Sequence, residues 1–346
     1  VKVGLIGFAQ SGKSTLFKAL TGVDPDPSVA MKGQVAVSQV ADARLDFLTA
    51  MYSPKKRTPA VVEFIDTPGL VRGEQGDNPQ RIATLRNADG LVIVINGFDT
   101  AEDPATQLRI FRDELLFADL VVLSARIERL EGGVKKGKTG AQREADLRIL
   151  EDLKAMVAKL ENGQSIAGMK VCPDTERDMK SYQLFSVKPE LVVINVGEDK
   201  VREAVPASVR ELSPHAIALS AALEKDLAEL SDEDRPAFME EMGVKEVARH
   251  KVIRGAYDAV NLISFFTVGE DECKAWTISR GTPAVEAAGK IHSDIQRGFI
   301  RAEVVAYDDL VRLKTMKDVK SAGLQRLEGK EYIVADGDII NYRFNV

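Results

Sequence analysis

The chain is 346 residues long, with 45% hydrophobic residues, 29% charged residues and a formal net charge of −6. That length implies two or three domains, and the composition is that of an ordinary globular chain, not a disordered one. The acidic balance argues against a protein that coats nucleic acid, and no pattern indicates DNA sequence recognition. Cys172 and Cys273 are far apart and give neither a disulfide framework nor a zinc spacing, so they read as free thiols in a reducing compartment. No apolar run approaches the roughly 18 residues a membrane helix needs. The chain is therefore expected to be cytoplasmic and free of membrane contact.

Short Val/Ile-rich runs at residues 3–6, 61–65, 91–95 and 191–194, with a fainter one at 216–219, read as strands of a parallel sheet buried on both faces. Helical patterns at 14–21, 42–51 and 200–212 lie between them, giving the alternation of an α/β domain. Residues 101–186 interrupt it with no strand signal until their end. Leu108, Phe111, Leu115 and Val122, then Leu147, Leu150, Leu153, Val157 and Leu160, recur near helical spacing, which predicts an antiparallel hairpin of two long helices. Gly132 to Lys138 would be its turn, and that basic tip reads equally as a contact for an acidic partner or as a solvated loop. From residue 262 the pattern changes to short β-rich segments at 262–268, 275–278, 299–305, 332–334 and 339–344, predicting a small α+β domain.

Gly7-Phe8-Ala9-Gln10-Ser11-Gly12-Lys13-Ser14 fits the G-x-x-x-x-G-K-[ST] pattern of a phosphate-binding loop. The context is right, because a strand precedes it and a helix beginning near Ser14 and Thr15 follows. Gly7 and Gly12 permit a tight turn whose backbone N–H groups converge on phosphate oxygens at a helix N-terminus. Lys13 brings charge to the β and γ phosphates, and the Ser14 hydroxyl is a ligand for Mg²⁺. Asp66-Thr67-Pro68-Gly69 closes the strand at 61–65. There Asp66 would hold Mg²⁺ through water and the Gly69 amide would sense the γ-phosphate. Leu70 follows where Ras-like enzymes carry the glutamine that orients the attacking water, which predicts slow hydrolysis; no residue is assigned a catalytic role.

After the strand at 191–194, guanine-specific proteins carry N-K-x-D. Here Asn195-Val196-Gly197-Glu198 lacks the lysine that packs over guanine and lengthens the aspartate to Glu198. An asparagine amide pairs with N6 and N7 of adenine, so ATP is expected ahead of GTP. Ser220-Ala221-Ala222 reads either as the second loop beside the base or as a plain helix cap at Ser220.

These residues resemble the YchF subfamily of the Obg-like translation-factor GTPases, whose members prefer ATP. The resemblance rests on the phosphate loop, on Asp66 to Leu70, on Asn195 to Glu198, and most specifically on the C-terminal third. There Lys274-Ala275-Trp276-Thr277-Ile278, Ala287-Ala288-Gly289-Lys290-Ile291-His292-Ser293-Asp294, Gly298-Phe299-Ile300-Arg301-Ala302-Glu303-Val304 and Arg343-Phe344-Asn345-Val346 are similar to the family's TGS domain. It implies an α/β P-loop NTPase domain at 1–100 and 189–261, an inserted α-helical coiled-coil hairpin at 101–188 and an α+β TGS domain at 262–346. It also implies association with ribosomes or RNA and a role in translation or stress regulation. The sequence departs from the family pattern at three places. Gln10 replaces the asparagine that orders a stimulating K⁺. Ala30 stands where a threonine completes the Mg²⁺ shell, and the glycine-rich run after the second switch shrinks to Glu74-Gln75-Gly76-Asp77-Asn78. These changes leave nucleotide binding in place and bear on catalysis and switching.

His292, beside Lys290 and near Arg297 and Arg301, reads either as part of an RNA-contacting basic face or as a solvated surface. Trp276 is expected in the core. The functional expectation is a slow, Mg²⁺-dependent ATPase of YchF type. Its alternative is a module that binds nucleotide with little or no hydrolysis.

Overall fold

The computed structural model describes residues 1–73, 78–99, 101–135, 140–231, 233–244 and 246–345. The shortened run at Glu74 to Asp77 and the hairpin tip at Lys136 to Lys138 lie outside the described residues, as does the side chain of Ala30.

Strands and helices alternate from the start: β1 (Lys2–Ile6), α1 (Lys13–Thr21), β2 (Gln34–Gln39), α2 (Ala43–Tyr52), β3 (Lys56–Thr58), β4 (Val61–Asp66), α3 (Asn78–Ala83) and β5 (Gly90–Asn96). Next come α4 (Pro104–Lys135), α5 (Ala141–Glu161) and α6 (Pro173–Tyr182) with no strand between them. Alternation resumes with β6 (Glu190–Asn195), α7 (Ala207–Leu212), β7 (Ile217–Leu219), α8 (Ala221–Glu229), α9 (Arg235–Glu241) and α10 (Ala248–Ala259). The C-terminal part holds β8 (Leu262–Thr267), β9 (Glu272–Ser279), α11 (Ala284–Ile291), α12 (Ser293–Arg297), β10 (Phe299–Ala306), α13 (Tyr307–Leu313), α14 (Met316–Ser321), β11 (Arg326–Glu328) and β12 (Asp338–Phe344).

The chain divides into two compact units, one built mainly from Lys2–Ala36 and Phe64–Ala248, the other from Val37–Glu63 and Arg249–Val346. In the first, the sheet order is β2-β4-β1-β5-β6-β7, with β1, β5, β6 and β7 paired in parallel. Residues 91–95 and 191–194 are fully buried, as strands covered on both faces must be. Ile6, Phe8, Leu70, Ile93 and Ile95 share one core with Leu108, Phe111 and Leu115 of α4, which anchors the base of the helical arm.

The arm has its own core, in which Leu123 and Leu130 of α4 meet Ile149, Leu153, Met156 and Leu160 of α5. These four α5 positions follow a 4-3-4 spacing, the seam of a helical pair. Leu147, expected on that face, is off the seam and exposed. Gly132 and Gly133, expected in the turn, lie inside α4; burial of Leu123 and Leu130 outweighs the roughly 1 kcal/mol that each helical glycine costs. The helix expected at 200–212 is reduced to α7, because Pro206 cannot donate to a preceding turn and disfavours helical backbone at Val205.

The second unit carries the sheet β11-β10-β12-β8-β9-β3. Its edge strand β3 comes from far earlier in the chain and pairs in parallel with β9. α2 belongs to the same unit: Arg44 bonds Asp42 and Asp336 and lies 5.2 Å over the Phe266 ring. Residues 332–334, expected as a strand, make a single bridge between Ile333 and Pro283. Trp276 is half-buried, stacked on Phe265, with Lys274 Nζ 3.5 Å from its ring centre.

Candidate nucleotide-binding site

The site is built at the carboxyl ends of β1, β4, β5 and β6, where an open parallel sheet leaves a crevice. The turn from β1 into α1 is shaped by contacts that exclude side chains. Gly12 has φ +88°, and a Cβ there would lie 2.0 Å from Asn195 Nδ2. A Cβ on Gly7 would lie 2.4 Å from the Val94 carbonyl oxygen. Gln10 also takes left-handed backbone, φ +64°, and its side chain is exposed.

Lys13 opens α1 and is buried, with Nζ 4.0 Å from Asp66 Oδ1. The Ser14 hydroxyl donates to Asp66 Oδ2 at 2.8 Å. Burial lowers the Lys13 pKa, with Asp66 opposing that shift. Burial likewise raises the Asp66 pKa, opposed by Lys13, Ser14 and the Thr67 amide. Both shifts mean that burial opposes the charges held here, so a phosphate beside Lys13 and a cation beside Asp66 would each favour the ionised form. Three buried oxygens, Ser11 Oγ, Asp66 Oδ1 and Thr67 Oγ1, have no hydrogen-bond partner, a concentration that suits a polar ligand.

The segment after Asp66 packs directly on the phosphate loop. The Leu70 amide donates to the Gly7 carbonyl at 3.0 Å, and the Leu70 carbonyl accepts from the Ala9 amide at 2.8 Å. A Cβ on Gly69 would lie 2.6 Å from Ala9 Cα, so only glycine allows this approach. The Leu70 side chain is buried at 1% exposure against Phe8 and Phe111 and points no polar group anywhere.

A cleft of about 570 Å³ adjoins the loop, lined by Gln10, Gly12, Thr15, Phe98, Asn195, Val196, Glu198, Ser220, Ala221 and their neighbours. The structure thus brings together Gly7 to Thr15 with Asp66 and Gly69, and Asn195 to Glu198 with Ser220 and Ala221. Ser220 caps α8, its hydroxyl accepting from the Leu223 amide, while also lining the cleft, so both readings of that segment hold together.

Asn195 lines the cleft and also braces it. Its Nδ2 donates to the Ser11 carbonyl at 3.0 Å and its Oδ1 accepts from the Ala221 amide at 2.8 Å. The carboxamide is a buried brace between the phosphate loop and the segment that begins α8. Phe98, 47% exposed, also lines the cleft at its rim, although it belongs to no motif. Its signal was an aromatic residue in the polar turn Asn96-Gly97-Phe98-Asp99 at a strand's carboxyl end.

Away from the cleft, His292 Nδ1 accepts from the Asp294 amide at 3.1 Å and caps α12, and Arg297 pairs with Asp294. Two members of the supposed basic face are therefore engaged locally. Among the described residues no helix is long and apolar enough to cross a membrane.

Comparison with known proteins agrees with this architecture. Residues 2–124 match the family model MMR_HSR1, 50S ribosome-binding GTPase, and residues 262–345 match YchF-GTPase_C, described as a protein of unknown function (DUF933). The chain is 36% identical to the ribosome-binding ATPase YchF of Haemophilus ducreyi, over 100% of this chain and 99% of that protein. It is 34% identical to the protein of the same name from Bacillus subtilis, over 99% of each. The solved structure of the Schizosaccharomyces pombe YchF GTPase is 30% identical, with a TM-score of 0.84, covering 99% of this chain and 97% of that one. The chain therefore belongs to the YchF family, with its α/β P-loop NTPase fold.

Proposed function

We propose that this chain binds ATP with Mg²⁺ in the cleft described, hydrolyses it slowly and uses the bound state to govern association with the ribosome. The observation that carries this reading is the joint placement of Lys13, Ser14 and Asp66 behind a glycine-shaped loop, next to a cleft large enough for a nucleoside. Lys13 and the loop amides hold the β and γ phosphates. The hydroxyl and carboxylate of Ser14 and Asp66 are hard oxygen donors that suit Mg²⁺, which would shield the phosphates' negative charge. Among the described residues no group of three or more His, Cys, Asp or Glu side chains is placed to hold a metal ion, so the remaining oxygens would come from nucleotide and water.

Phe98 and Val196 offer apolar faces to the base, and the Glu198 carboxylate can accept from the adenine N6 amino group. With two of its bonding positions taken by bracing, Asn195 shares the ATP preference with these groups, with the missing lysine after it, and with the likeness to relatives that are ribosome-binding ATPases. The ribosome is proposed as partner on that same ground, with RNA contact through the C-terminal domain. K⁺ dependence is proposed to be weak, since Gln10 replaces asparagine. The proposed division of labour gives 1–100 and 189–261 to nucleotide, 101–188 to the arm and 262–346 to the TGS domain, although residues 37–63 and 249–261 group with the C-terminal unit. Cytoplasmic location goes with this role.

A second reading, nucleotide binding with negligible hydrolysis, is favoured by the burial of Leu70, which leaves no side chain at that position to orient water. Single-turnover hydrolysis with and without ribosomes separates the two. Detectable turnover that ribosomes accelerate supports the ATPase, whereas none in either condition leaves the binding module.

A further inference from the structure

The segment Gly69 to Val71 is held from two sides, and the second side lies outside the phosphate machinery. Leu70 gives both its backbone groups to the phosphate loop, as described. The neighbouring groups go to α3. Asn78 Oδ1 accepts from the Val71 amide at 3.0 Å, Asn78 Nδ2 donates to the Val71 carbonyl at 2.8 Å, and Arg81 Nη1 donates to the Gly69 carbonyl at 3.2 Å. The Gly69 N–H is then the one donor in this segment that bonds no described residue. Asn78 is 3% exposed, so both bonds are made away from water, where a fixed backbone is worth most. Its Nδ2 also donates to Glu114 Oε2 at 3.2 Å, and Glu114 lies on α4, the first helix of the arm.

We propose that Asn78 is a positioning residue: it fixes the Gly69 amide beside the phosphate loop for reading the γ-phosphate, and through Glu114 it joins that amide to the helical arm. This rests on the reading of the cleft as an ATP site. Asparagine suits the place because one carboxamide both accepts and donates to a single peptide unit while keeping a second N–H for Glu114. An ADP ligand lacks the phosphate that Gly69 would meet. The consequence of losing Asn78 is therefore a loss of discrimination between ATP and ADP, not a general loss of affinity.

The test is calorimetric titration of the full chain with a non-hydrolysable ATP analogue and with ADP, both in Mg²⁺, for the unmodified protein and Asn78→Ala. The expected result is that analogue affinity falls by about tenfold or more while ADP affinity stays within about threefold, since two buried bonds to the sensing segment are lost. Single-turnover hydrolysis should fall at least as far as analogue affinity. Should Asn78→Ala fail to fold, Asn78→Asp is isosteric and retains the acceptor for the Val71 amide. It is expected to lose discrimination in the same direction and to recover part of it when Glu114→Gln removes the like charge. Equal losses for analogue and ADP, or no loss of either, would overturn the inference while leaving the ATP site standing. If the unmodified protein binds neither nucleotide, the site reading falls first and this inference with it.

Discussion

Replacing Asn195 by alanine tests the brace directly. The side chain is 6% exposed and makes two bonds, to the Ser11 carbonyl at 3.0 Å and from the Ala221 amide at 2.8 Å. Asn195→Ala leaves both backbone groups without those partners, at about 1–3 kcal/mol for each buried group. Water entering the vacated volume offsets part of that sum, leaving a loss of about 2–3 kcal/mol in nucleotide binding, or roughly 30- to 150-fold. Because the brace acts on the phosphate loop and not on the base, ATP and GTP analogues and ADP should all weaken by similar factors. Asn195→Asp keeps the acceptor for Ala221 and should fall between the two. The assay is calorimetric titration of each nucleotide, with thermal unfolding as the control for folding. A loss confined to adenine nucleotides would show instead that Asn195 acts on the base.

Gly12→Ala should abolish measurable nucleotide binding, since the new Cβ meets Asn195 Nδ2 at 2.0 Å on a backbone with φ +88°; titration beside Lys13→Ala checks it. Leu70→Gln should not accelerate hydrolysis and should destabilise the fold by about 2–4 kcal/mol, because it buries an amide among apolar groups; single-turnover rates and urea unfolding read the two effects. Phe98→Ala should weaken ATP by about 1–2 kcal/mol, the scale of one base–aromatic stacking contact, and should leave tripolyphosphate binding unchanged. Hydrogen bonds from Arg343 hold the Glu303 carboxyl below its ordinary value. The folded value is then below the unfolded one, so the stability it gives is fully present above about pH 4.5 and is lost as pH falls through the folded value. Glu303→Gln should flatten that part of the acid-unfolding profile.

The phosphate loop was legible because its chemistry admits few residues: a buried lysine, a hydroxyl and glycines where backbones nearly touch. The parallel strands were legible for a similar reason, since runs such as residues 91–95 can be buried on both faces only in a covered sheet. Asn195 was legible as a cleft residue but not as a brace, because its bonds to Ser11 and Ala221 join peptide groups that spacing does not mark. The parallel pairing of β3 with β9 joins residues more than two hundred positions apart, a register that no local pattern carries. Asn78 escaped notice because its meaning lies in one peptide unit, Val71, and one carboxylate, Glu114, neither of which marks itself in sequence. Gly132 and Gly133 misled because local propensity argues for a turn where tertiary packing sustains the helix.

The lining of this cleft is suited to ATP held through Lys13, in preference to GTP. Competition titration of the purified chain with non-hydrolysable ATP and GTP analogues in Mg²⁺, beside Lys13→Ala, is the decisive measurement. The ATP analogue should bind more tightly, and both should be lost in the variant. Preference for the GTP analogue would contradict the base assignment, and binding that survives Lys13→Ala undiminished would contradict the site itself.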